Sequence, residues 1–313
     1  MSVADVRDAF VNTILEAAEN DSRVVAVSND SIGSSKLGEF RRRFPERLFN
    51  VGIAEQNMVG FGAGLAAVGL IPFVCSATCF LSYRALEQIK NDVVYSRQNV
   101  KLVGNTSGVD YGALGATHHS IEDLGTLRAL PGLAIVSPAD HAETVEATRW
   151  LIEHDGPAYL RLYRAKVPEV LGMPGKFELG RVRPLREGSD CTIFAIGPMV
   201  HRALEAAAIL AAKGIEAGVV NVSTLSPLDV EGVLEAAAKS RCAVAVEDHM
   251  VDGGLGSALC ELFSEHAPRP VLRIGYRGGF AAVGPAEAVR AHHGLTPEGI
   301  AGRTAAFLER ALV

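Results

Sequence analysis

The sequence is poor in cysteine and has no segment long and apolar enough to cross a membrane. Its 313 residues include five cysteines, Cys75, Cys79, Cys191, Cys242 and Cys260. An odd, scattered set within apolar segments is typical of reduced core thiols in a cytosolic protein. No second Cys or His pair accompanies the two cysteines that lie four residues apart, which excludes an ordinary zinc site. No apolar stretch approaches the roughly 20 residues that span a bilayer.

Signals for export and for binding polyanions are also missing. The first ten residues, MSVADVRDAF, carry an acid where a signal peptide has basic and then apolar residues. Thirty Lys and Arg residues against 36 Asp and Glu residues give a net charge of −6. This balance argues against nucleic acid or an anionic membrane surface as the main partner. We therefore expect a cytoplasmic protein that binds small molecules or other proteins.

The chain does contain a repeated alternation of helices and short apolar strands. Residues 6–19 place Val6, Phe10 and Ile14 on one face of a predicted helix, which precedes the apolar run 24–27. The same pattern recurs up to residue 163 and restarts at residue 191. Because the strands lack polar alternation, they are predicted to form parallel sheets covered on both faces. The predicted fold class is α/β, with two parallel-sheet, three-layer domains.

A stretch rich in proline and glycine is expected to separate these domains. Residues 167–188 combine several charges with turn-forming residues, namely Pro168, Gly172, Pro174, Gly175, Gly180 and Pro184. That composition is typical of a linker. The predicted boundaries are a first domain over 1–166, a linker over 167–188 and a second domain over 189–313, as expected at roughly 100 to 200 residues per domain.

The polar loops after the predicted strands are the first place to look for a site, because open parallel sheets bind ligands beyond the carboxyl ends of their strands. Glu55 is the most informative residue there. Small and apolar neighbours on both sides are expected to desolvate its carboxyl group, which favours the neutral form unless a cation or donor compensates. Such a group suits proton sharing, although an acid in the first turn of a helix also interacts favourably with the helix dipole.

Several segments, in order, resemble one enzyme family. VGIAEQN at 51–57, followed by a glycine-rich helix, resembles the pyrimidine-binding domain of the thiamine diphosphate enzymes of the transketolase group. VEDH at 246–249 and GGLG at 253–256 resemble the C-terminal domain of that group. The resemblance covers essentially the whole chain, which looks like the C-terminal subunit of a split transketolase.

The resemblance implies a set of contacts to thiamine diphosphate. Glu55 matches the glutamate that contacts a pyrimidine ring nitrogen and shares a proton with it, which helps the cofactor to become a nucleophile. Phe80 and Tyr83 match the aromatic pocket, although Ala77 stands where the family usually has a further aromatic residue; both could instead be core residues. Asp30 matches an aspartate near the thiazolium side, and its alternative is a loop or capping role.

The resemblance also implies contacts to a sugar phosphate. Arg7, Ser34 and Arg164 match phosphate-binding positions, since arginine can direct two donors at phosphate oxygens. Their alternatives are an exposed first-turn base for Arg7 and the start of the linker for Arg164. His118, in the Thr-His-His motif at 117–119, would face the substrate hydroxyls and move a proton near neutral pH. A histidine bonded to the backbone is the expectation for His119.

Two positions depart from the family pattern. Leu114 replaces an aspartate that reads a hydroxyl group of the donor, and Thr106 stands near the position where the family has a phosphate-contacting histidine. These changes reshape the donor pocket. A modified ketose or another acyl-anion donor therefore becomes a candidate beside the usual pentose and hexose phosphates.

The family's metal and diphosphate motif is absent from the sequence. Its Gly-Asp-Gly run with a downstream Asn has no counterpart, and the Asp-Gly-Gly at 252–254 lies in the wrong domain and order. The chain is therefore predicted to contribute no metal ligand of its own. The resemblance implies that Mg²⁺ and the diphosphate are held by an N-terminal subunit carrying Gly-Asp-Gly, in an α2β2 assembly with the cofactor at the interface.

The predicted activity is that of a transketolase, the transfer of a two-carbon ketol unit from a ketose phosphate to an aldose. A 2-oxo acid dehydrogenase β subunit is an alternative, against which Arg7 and Arg164 weigh because a lipoyl acceptor needs no phosphate clamp. A 1-deoxyxylulose-phosphate synthase-like enzyme is another. A non-catalytic assembly partner is the alternative from a different class, and Glu55, Phe80 and His118 argue against it.

Overall fold

The computed structural model describes residues 3–170, 172 and 175–311, so parts of all three predicted segments lie outside the described residues, including Pro174 of the linker. The described chain alternates strands and helices, and both its main sheets are largely parallel. The strands are β1 (Val3–Ala4), β2 (Val24–Ser28), β3 (Leu48–Asn50), β4 (Ile71–Ser76), β5 (Lys101–Gly104), β6 (Ala134–Val136), β7 (Ala158–Arg161), β8 (Val167–Pro168), β9 (Arg183–Arg186), β10 (Cys191–Ala195), β11 (Ala217–Asn221), β12 (Thr224–Ser226), β13 (Cys242–Met250) and β14 (Val271–Tyr276).

The helices cover both faces of these sheets. They are α1 (Val6–Asn20), α2 (Gly38–Arg43), α3 (Glu55–Ala67), α4 (Leu86–Gln88), α5 (Asp123–Arg128), α6 (His141–Glu153), α7 (Met199–Ala211), α8 (Val230–Ala237), α9 (Leu255–His266), α10 (Ala286–His292) and α11 (Pro297–Ala311). Two π-helical segments, Phe80–Arg84 and Ile89–Tyr95, flank α4, and 3₁₀ turns occur at Pro45–Arg47 and Gly112–Thr117. No helix in the described part of the chain is long and apolar enough to cross a bilayer.

The first sheet has the order β12-β6-β7-β5-β4-β2-β3, and every neighbouring pair is parallel except β12 with β6. Its inner strands β2, β4, β5 and β7 are buried along their whole length. This burial follows from their continuous apolar sequences, which are typical of parallel strands covered on two faces. The α/β prediction with parallel sheets is confirmed.

The second sheet has the order β14-β13-β10-β11-β9, with only β9 antiparallel to its neighbour. One buried apolar cluster extends from the first sheet to the second. Within it, Leu124 and Leu127 of α5 belong with Phe194 of β10 and Leu259 of α9. The two domains therefore share a continuous core through α5.

Two short strands differ from the simple division of the sequence. β9 lies inside the predicted linker yet forms the edge of the second sheet, a place that tolerates Pro184 because an edge strand need not donate every N–H. β12 follows β11 of the second sheet but pairs with β6 of the first. The domain boundaries at 166/167 and 188/189 stay a prediction.

The parallel arrangement brings several loops to one edge of the first sheet. The loops after β2, β3, β4, β5 and β7 all begin at carboxyl ends of parallel strands, which lie on the same side of a sheet. They carry the residues that the sequence analysis selected, with Asp30, Glu55, Phe80, His118 and Arg164 each in a different loop.

Candidate active site

Glu55 is the first residue of α3 and is buried, with 1% of its surface exposed. Both carboxylate oxygens accept a hydrogen bond. Asn29, in the loop after β2, donates from Nδ2 to Oε1 at 2.7 Å. Arg84, at the end of the first π-helical segment, donates from a guanidinium nitrogen to Oε2 at 2.6 Å. Two loops of the sheet edge therefore converge on one carboxylate.

These two donors decide the charge of Glu55. Burial alone would raise the pKa of its carboxyl group, but the hydrogen bonds from Arg84, from the Glu55 backbone N–H and from Asn29, with the charge of Arg84, outweigh burial and leave the pKa below its usual value. Glu55 is thus a carboxylate at neutral pH. The expectation of a desolvated carboxyl group is correct, and the compensating cation is Arg84.

A buried hydrogen-bond network holds Asn29 in place. The Ser31 hydroxyl donates to Asn29 Oδ1 at 2.6 Å and lies 3.3 Å from the Ser35 hydroxyl. Ser35 in turn accepts from Asn105 Nδ2 at 2.7 Å. Because these contacts fix Asn29, they also fix Oε1 of Glu55. Oε2 lies on the more accessible side of the carboxylate, where the exposed Arg84 binds it.

Phe80 forms the floor of this accessible side. The Arg84 guanidinium carbon lies 4.7 Å from the centre of the Phe80 ring, a cation–π distance, and the Arg84 side chain is 48% exposed. His118 approaches the same ring edge-on at 5.3 Å between centroids. The structure therefore brings Glu55, Phe80 and His118 together, linked through Arg84.

Tyr111 connects His118 with Arg164. Its ring lies 5.5 Å from the His118 ring, and the Arg164 guanidinium carbon lies 5.3 Å from the centre of the Tyr111 ring. His118 Nδ1 is 2.9 Å from the Thr117 hydroxyl. Next to it His119 is buried, with Nε2 3.0 Å from the Gly112 carbonyl oxygen. His119 is thus bonded to the backbone, as expected, while His118 faces the pocket.

Tyr83 and Asp30 are engaged with neighbours of their own. The Tyr83 hydroxyl donates to Glu122 Oε2 at 2.8 Å and accepts from the Glu122 backbone N–H at 3.2 Å. Asp30 is exposed, has a left-handed φ of 68°, and accepts from Asn50 Nδ2 at 3.0 Å. Asp30 follows Asn29, the residue that donates to Glu55. Their cofactor roles stay predictions.

Arg7 and Ser34 lie together, on the other side of the loop after β2. Arg7 is buried, so the alternative of an exposed base is wrong. Its guanidinium donates to Asp5 at 2.7 and 3.1 Å and to the Ser34 carbonyl oxygen at 3.1 Å. Lys36 also pairs with Asp5, at 2.9 Å. Burial would raise the pKa of Asp5, but the donors from Arg7 and Lys36 lower it to about 2.

The two positions that depart from the family pattern differ in accessibility. Leu114 is 53% exposed in the loop that carries His118. Thr106 is buried, its backbone N–H donates to the Thr78 hydroxyl at 3.3 Å, and its own hydroxyl has no partner within the described residues. Leu114 is therefore the one of the two that can contact a ligand in the pocket.

Some residues of the site are not evident from the sequence. Asn29 and Arg84 are adjacent to predicted residues, but their contacts with Glu55 span 26 and 29 positions. Tyr111 is an aromatic residue in a loop already selected for its polar groups. The sequence does contain one signal for Arg84, since it is a base next to an aromatic segment and a buried acid needs a counter-ion.

Among the described residues, no group of His, Cys, Asp and Glu could hold a metal ion, and the five cysteines are unbridged. The site thus consists of a buried carboxylate, an aromatic ring, a histidine and an arginine at the carboxyl edge of a parallel sheet. Such a set of groups at the carboxyl edge of a parallel sheet is typical of α/β enzymes that bind an organic cofactor or substrate.

Comparison with known proteins identifies the family. Residues 2–169 match the family described as "Transketolase, pyrimidine binding domain", and residues 180–300 match "Transketolase, C-terminal domain". The chain belongs to the transketolase family. Membership of this family implies thiamine diphosphate as the cofactor.

Relatives of the same length are single subunits. The chain is 42% identical over 305 residues to a subunit of the apulose-4-phosphate transketolase of Phocaeicola vulgatus, covering 97% of each chain. It is 42% identical over 295 residues to the 6-deoxy-6-sulfo-D-fructose transketolase subunit SqwH of a Clostridium species, covering 94% of this chain and 92% of the relative. A solved split-gene transketolase, described as an inactive beta4 tetramer, superposes with a TM-score of 0.88 at 38% identity and 99% coverage of both chains.

The pocket of this chain fits an aminopyrimidine ring. Arg84 places a planar group with N–H donors over the Phe80 ring and against Glu55 Oε2. An aminopyrimidine is likewise planar and carries an amine, and it needs the same two partners, an aromatic face and a carboxyl group. The Phe80 face and the Glu55 carboxylate are thus groups of the kind that an aminopyrimidine ring requires.

Proposed function

We propose that this chain is the pyrimidine-binding subunit of a two-subunit, thiamine diphosphate-dependent transketolase that transfers a two-carbon ketol unit from a ketose phosphate to an aldose. The observation that carries the proposal is the buried Glu55 carboxylate, with Oε1 fixed by Asn29 and Oε2 bonded to Arg84, whose guanidinium lies over the Phe80 ring. When bound, thiamine diphosphate supplies the nucleophilic carbon for this transfer.

Each residue of the pocket has a distinct task in this proposal. Glu55 holds a proton between Oε2 and the pyrimidine ring, and its charge without the cofactor is compensated by Arg84. Phe80 supplies the stacking surface, with Tyr83 and Asp30 at the edges of the cofactor. His118 donates a hydrogen bond to the oxygen atoms of the substrate or moves a hydroxyl proton.

Arg164 is the stronger of the two candidate phosphate arginines. Its side chain is exposed and its guanidinium lies over the face of Tyr111, so its N–H groups can reach a ligand. Arg7 is buried and engaged with Asp5, and it would need to exchange that carboxylate for phosphate. Ser34, bonded through its carbonyl oxygen to Arg7, would move with it.

A partner subunit would supply what this chain lacks. The described residues offer no metal site, which supports a partner that holds Mg²⁺ and the diphosphate through a Gly-Asp-Gly motif. The inactive beta4 tetramer of the related split transketolase supports an active assembly that needs the other subunit. We propose an α2β2 heterotetramer in the cytoplasm, a location to which five unbridged cysteines are suited.

The donor is proposed to be a modified ketose carrying a phosphate or a sulfonate. The two relatives named for apulose 4-phosphate and for 6-deoxy-6-sulfo-D-fructose support this class. Leu114 supports it too, because a half-exposed aliphatic side chain stands where a carboxylate would otherwise select a hydroxyl group.

Reconstitution tests the proposal. The chain is expressed alone and with an N-terminal transketolase subunit from the same genome, and bound thiamine diphosphate is measured with Mg²⁺ present. We expect binding and turnover only in the mixture. A panel of apulose 4-phosphate, 6-deoxy-6-sulfofructose, fructose 6-phosphate and xylulose 5-phosphate then identifies the donor. A mixture that assembles without binding the cofactor would instead favour a non-catalytic role.

A further inference from the structure

The loop that carries His118 is closed at its base. Gly108 and Ser120 exchange two backbone hydrogen bonds of 2.9 and 2.8 Å, so the eleven residues between them form a single excursion, a loop that leaves and rejoins the first domain at one point. Tyr111 and His118 both lie on this excursion, which we call the substrate loop, residues 108–120. Its conformation therefore sets the position of His118 and of the ring that contacts Arg164.

The substrate loop is in close contact with the second domain. Gly108 has a φ of +60°, and a Cβ atom there would lie 2.2 Å from Asp248 Oδ2. Gly112 has a φ of +41°, and its Cβ atom would lie 2.5 Å from the Gly284 carbonyl oxygen. Neither the backbone conformation nor the space allows a side chain at these positions. The loop therefore fits closely against β13 and the segment before α10.

A buried ion pair links the same loop to the second domain. Arg290 of α10 pairs with Asp110, and their side chains are 1% and 2% exposed. Arg290 also pairs with Asp248 at 2.7 Å. The other oxygen of Asp110 accepts the backbone N–H groups of Arg164 and Ala165, the latter at 3.1 Å. One carboxylate thus ties together the second domain, the substrate loop and the backbone of Arg164.

We propose that the second domain acts as the template for the substrate loop, with Asp110 and Arg290 as positioning residues that set the distance between His118 and Arg164. The ion pair of Asp110 with Arg290 is called the latch below. This inference rests on the proposed function in so far as His118 and Arg164 contact substrate. Neither Asp110 nor Arg290 touches the pocket; both act through the loop. The second domain therefore has a task in substrate recognition although it supplies neither His118 nor Arg164.

The physical reason lies in the composition of the loop. A loop with several glycines at positive φ has many conformations to choose from, and ordering it is costly in entropy. The latch selects one of them. Without Asp110 the loop loses its ion pair to α10, and without Arg290 the buried carboxylates of Asp110 and Asp248 lose a shared cation. Misplacement of a substrate contact by about 1 Å can reduce the rate on the order of a hundredfold.

The Asp110→Asn substitution tests the proposal with little change in size. The amide has one acceptor oxygen for the backbone N–H groups and presents donors toward Arg290, so the latch is weakened. In the full chain we expect amide hydrogen exchange over residues 108–120 to rise by about tenfold or more. In the reconstituted pair, we expect the KM for the phosphorylated donor to rise about tenfold, with thiamine diphosphate affinity little changed.

A matched control separates this effect from general loosening of the domains. Asn221 of β11 donates to Glu143 of α6 at 2.9 Å, a buried contact between the same two domains that lies outside the substrate loop. Asn221→Ala is expected to lower stability without raising exchange in the loop. If Asp110→Asn proves unstable, Gly112→Ala displaces the loop from Gly284 without touching a buried charge, and should raise the same KM.

The outcomes distinguish the latch from the proposed function. Unchanged loop exchange in Asp110→Asn contradicts the latch, whatever the activity. Raised exchange with an unchanged KM contradicts its role in positioning His118 and Arg164. The proposed function is tested separately by cofactor binding in the unmodified pair, which neither result affects.

Discussion

Two buried glutamates occupy comparable places in the two domains, and they differ in what surrounds them. Glu55 lies beyond a strand end of the first sheet and shares one oxygen with the half-exposed Arg84. Glu247 lies near the carboxyl end of β13 in the second sheet, where both its oxygens accept backbone N–H groups of Leu255 and Gly256 at 2.7 and 2.9 Å. One carboxylate is bonded to side chains, one of them half-exposed, and the other caps α9.

The pKa values of the two carboxyl groups shift in opposite directions. The hydrogen bonds of Arg84 and Asn29 lower the pKa of Glu55 in spite of burial, whereas burial dominates at Glu247 and raises its pKa. Asp248, next to Glu247, is likewise enclosed, because Tyr276 and Arg290 donate to its carboxylate. This contrast fits the proposed use of the strand ends, ligand binding in the first domain and support in the second.

Matched substitutions of the two glutamates give the clearest test of this difference between the domains. Glu55→Gln removes the proton-sharing oxygen, and we expect turnover of the reconstituted pair to fall by about 10³-fold with assembly retained. Glu247→Gln leaves one backbone N–H of α9 facing a donor, and should reduce the free energy of unfolding by about 1–3 kcal/mol with little effect on turnover. Similar losses of turnover in both variants would refute the division of tasks.

Asp5 extends the comparison to a buried contact of the first domain. Its ion pair with Arg7 is enclosed, as is the pair of Asp248 with Arg290 in the second domain. Its native pKa of about 2 lies below the ordinary value of 3.8. The pair therefore stabilises the fold above pH 3.8, and this contribution is lost as pH falls toward 2. Asp5→Asn should reduce the free energy of unfolding by about 2 kcal/mol at pH 7.

Urea unfolding at several pH values measures this effect. The difference between Asp5→Asn and the unmodified chain should shrink steadily below pH 3.8. A difference that is constant with pH would mean that the carboxylate charge of Asp5 contributes nothing, and Arg7 would then be available to phosphate.

Arg164 should behave as a ligand contact rather than a structural one. Arg164→Ala is expected to raise the KM for a phosphorylated substrate about tenfold, equivalent to about 1.4 kcal/mol, and to leave the unphosphorylated analogue unaffected. Arg41→Ala, at an exposed position of α2, serves as the control for removal of a surface charge. An equal change for both substrates would argue against a phosphate contact.

Arg84 should give the smallest effect. Arg84→Met removes the cation that keeps Glu55 ionised, so the pKa of Glu55 should rise. Because a charged Glu55 stabilises the fold above its unfolded pKa, the variant should lose less than about 1 kcal/mol at pH 7, since Arg84 is half-exposed. The loss should disappear as pH falls and Glu55 is protonated. Arg97→Met is the exposed control.

The fold follows from the sequence where strands are continuous and apolar, as in β2 and β4. It does not where strands are short and polar, because β9 contains proline and arginine and β12 consists of only three residues. Both are edge strands, in which partner and geometry matter more than composition. The α/β class was therefore predictable, but the sheet edges were not.

The candidate site, too, was only partly predictable from the sequence. Glu55 stands out in the sequence because its neighbours are small and apolar, and that local signal led to the correct expectation of burial. Its partners depend on side chains meeting across the sheet edge. The link between Asp110 and Arg290 spans 180 positions, a separation at which no local pattern operates. Contacts of this kind require the tertiary structure.

The most direct test is a structure of the chain assembled with its N-terminal partner, thiamine diphosphate and Mg²⁺. We predict the pyrimidine ring on the Phe80 face with a ring nitrogen at hydrogen-bond distance from Glu55, Arg84 displaced from Oε2, and the metal on the partner. A ring bound away from Glu55, or a Glu55 side chain turned to solvent, would contradict the account.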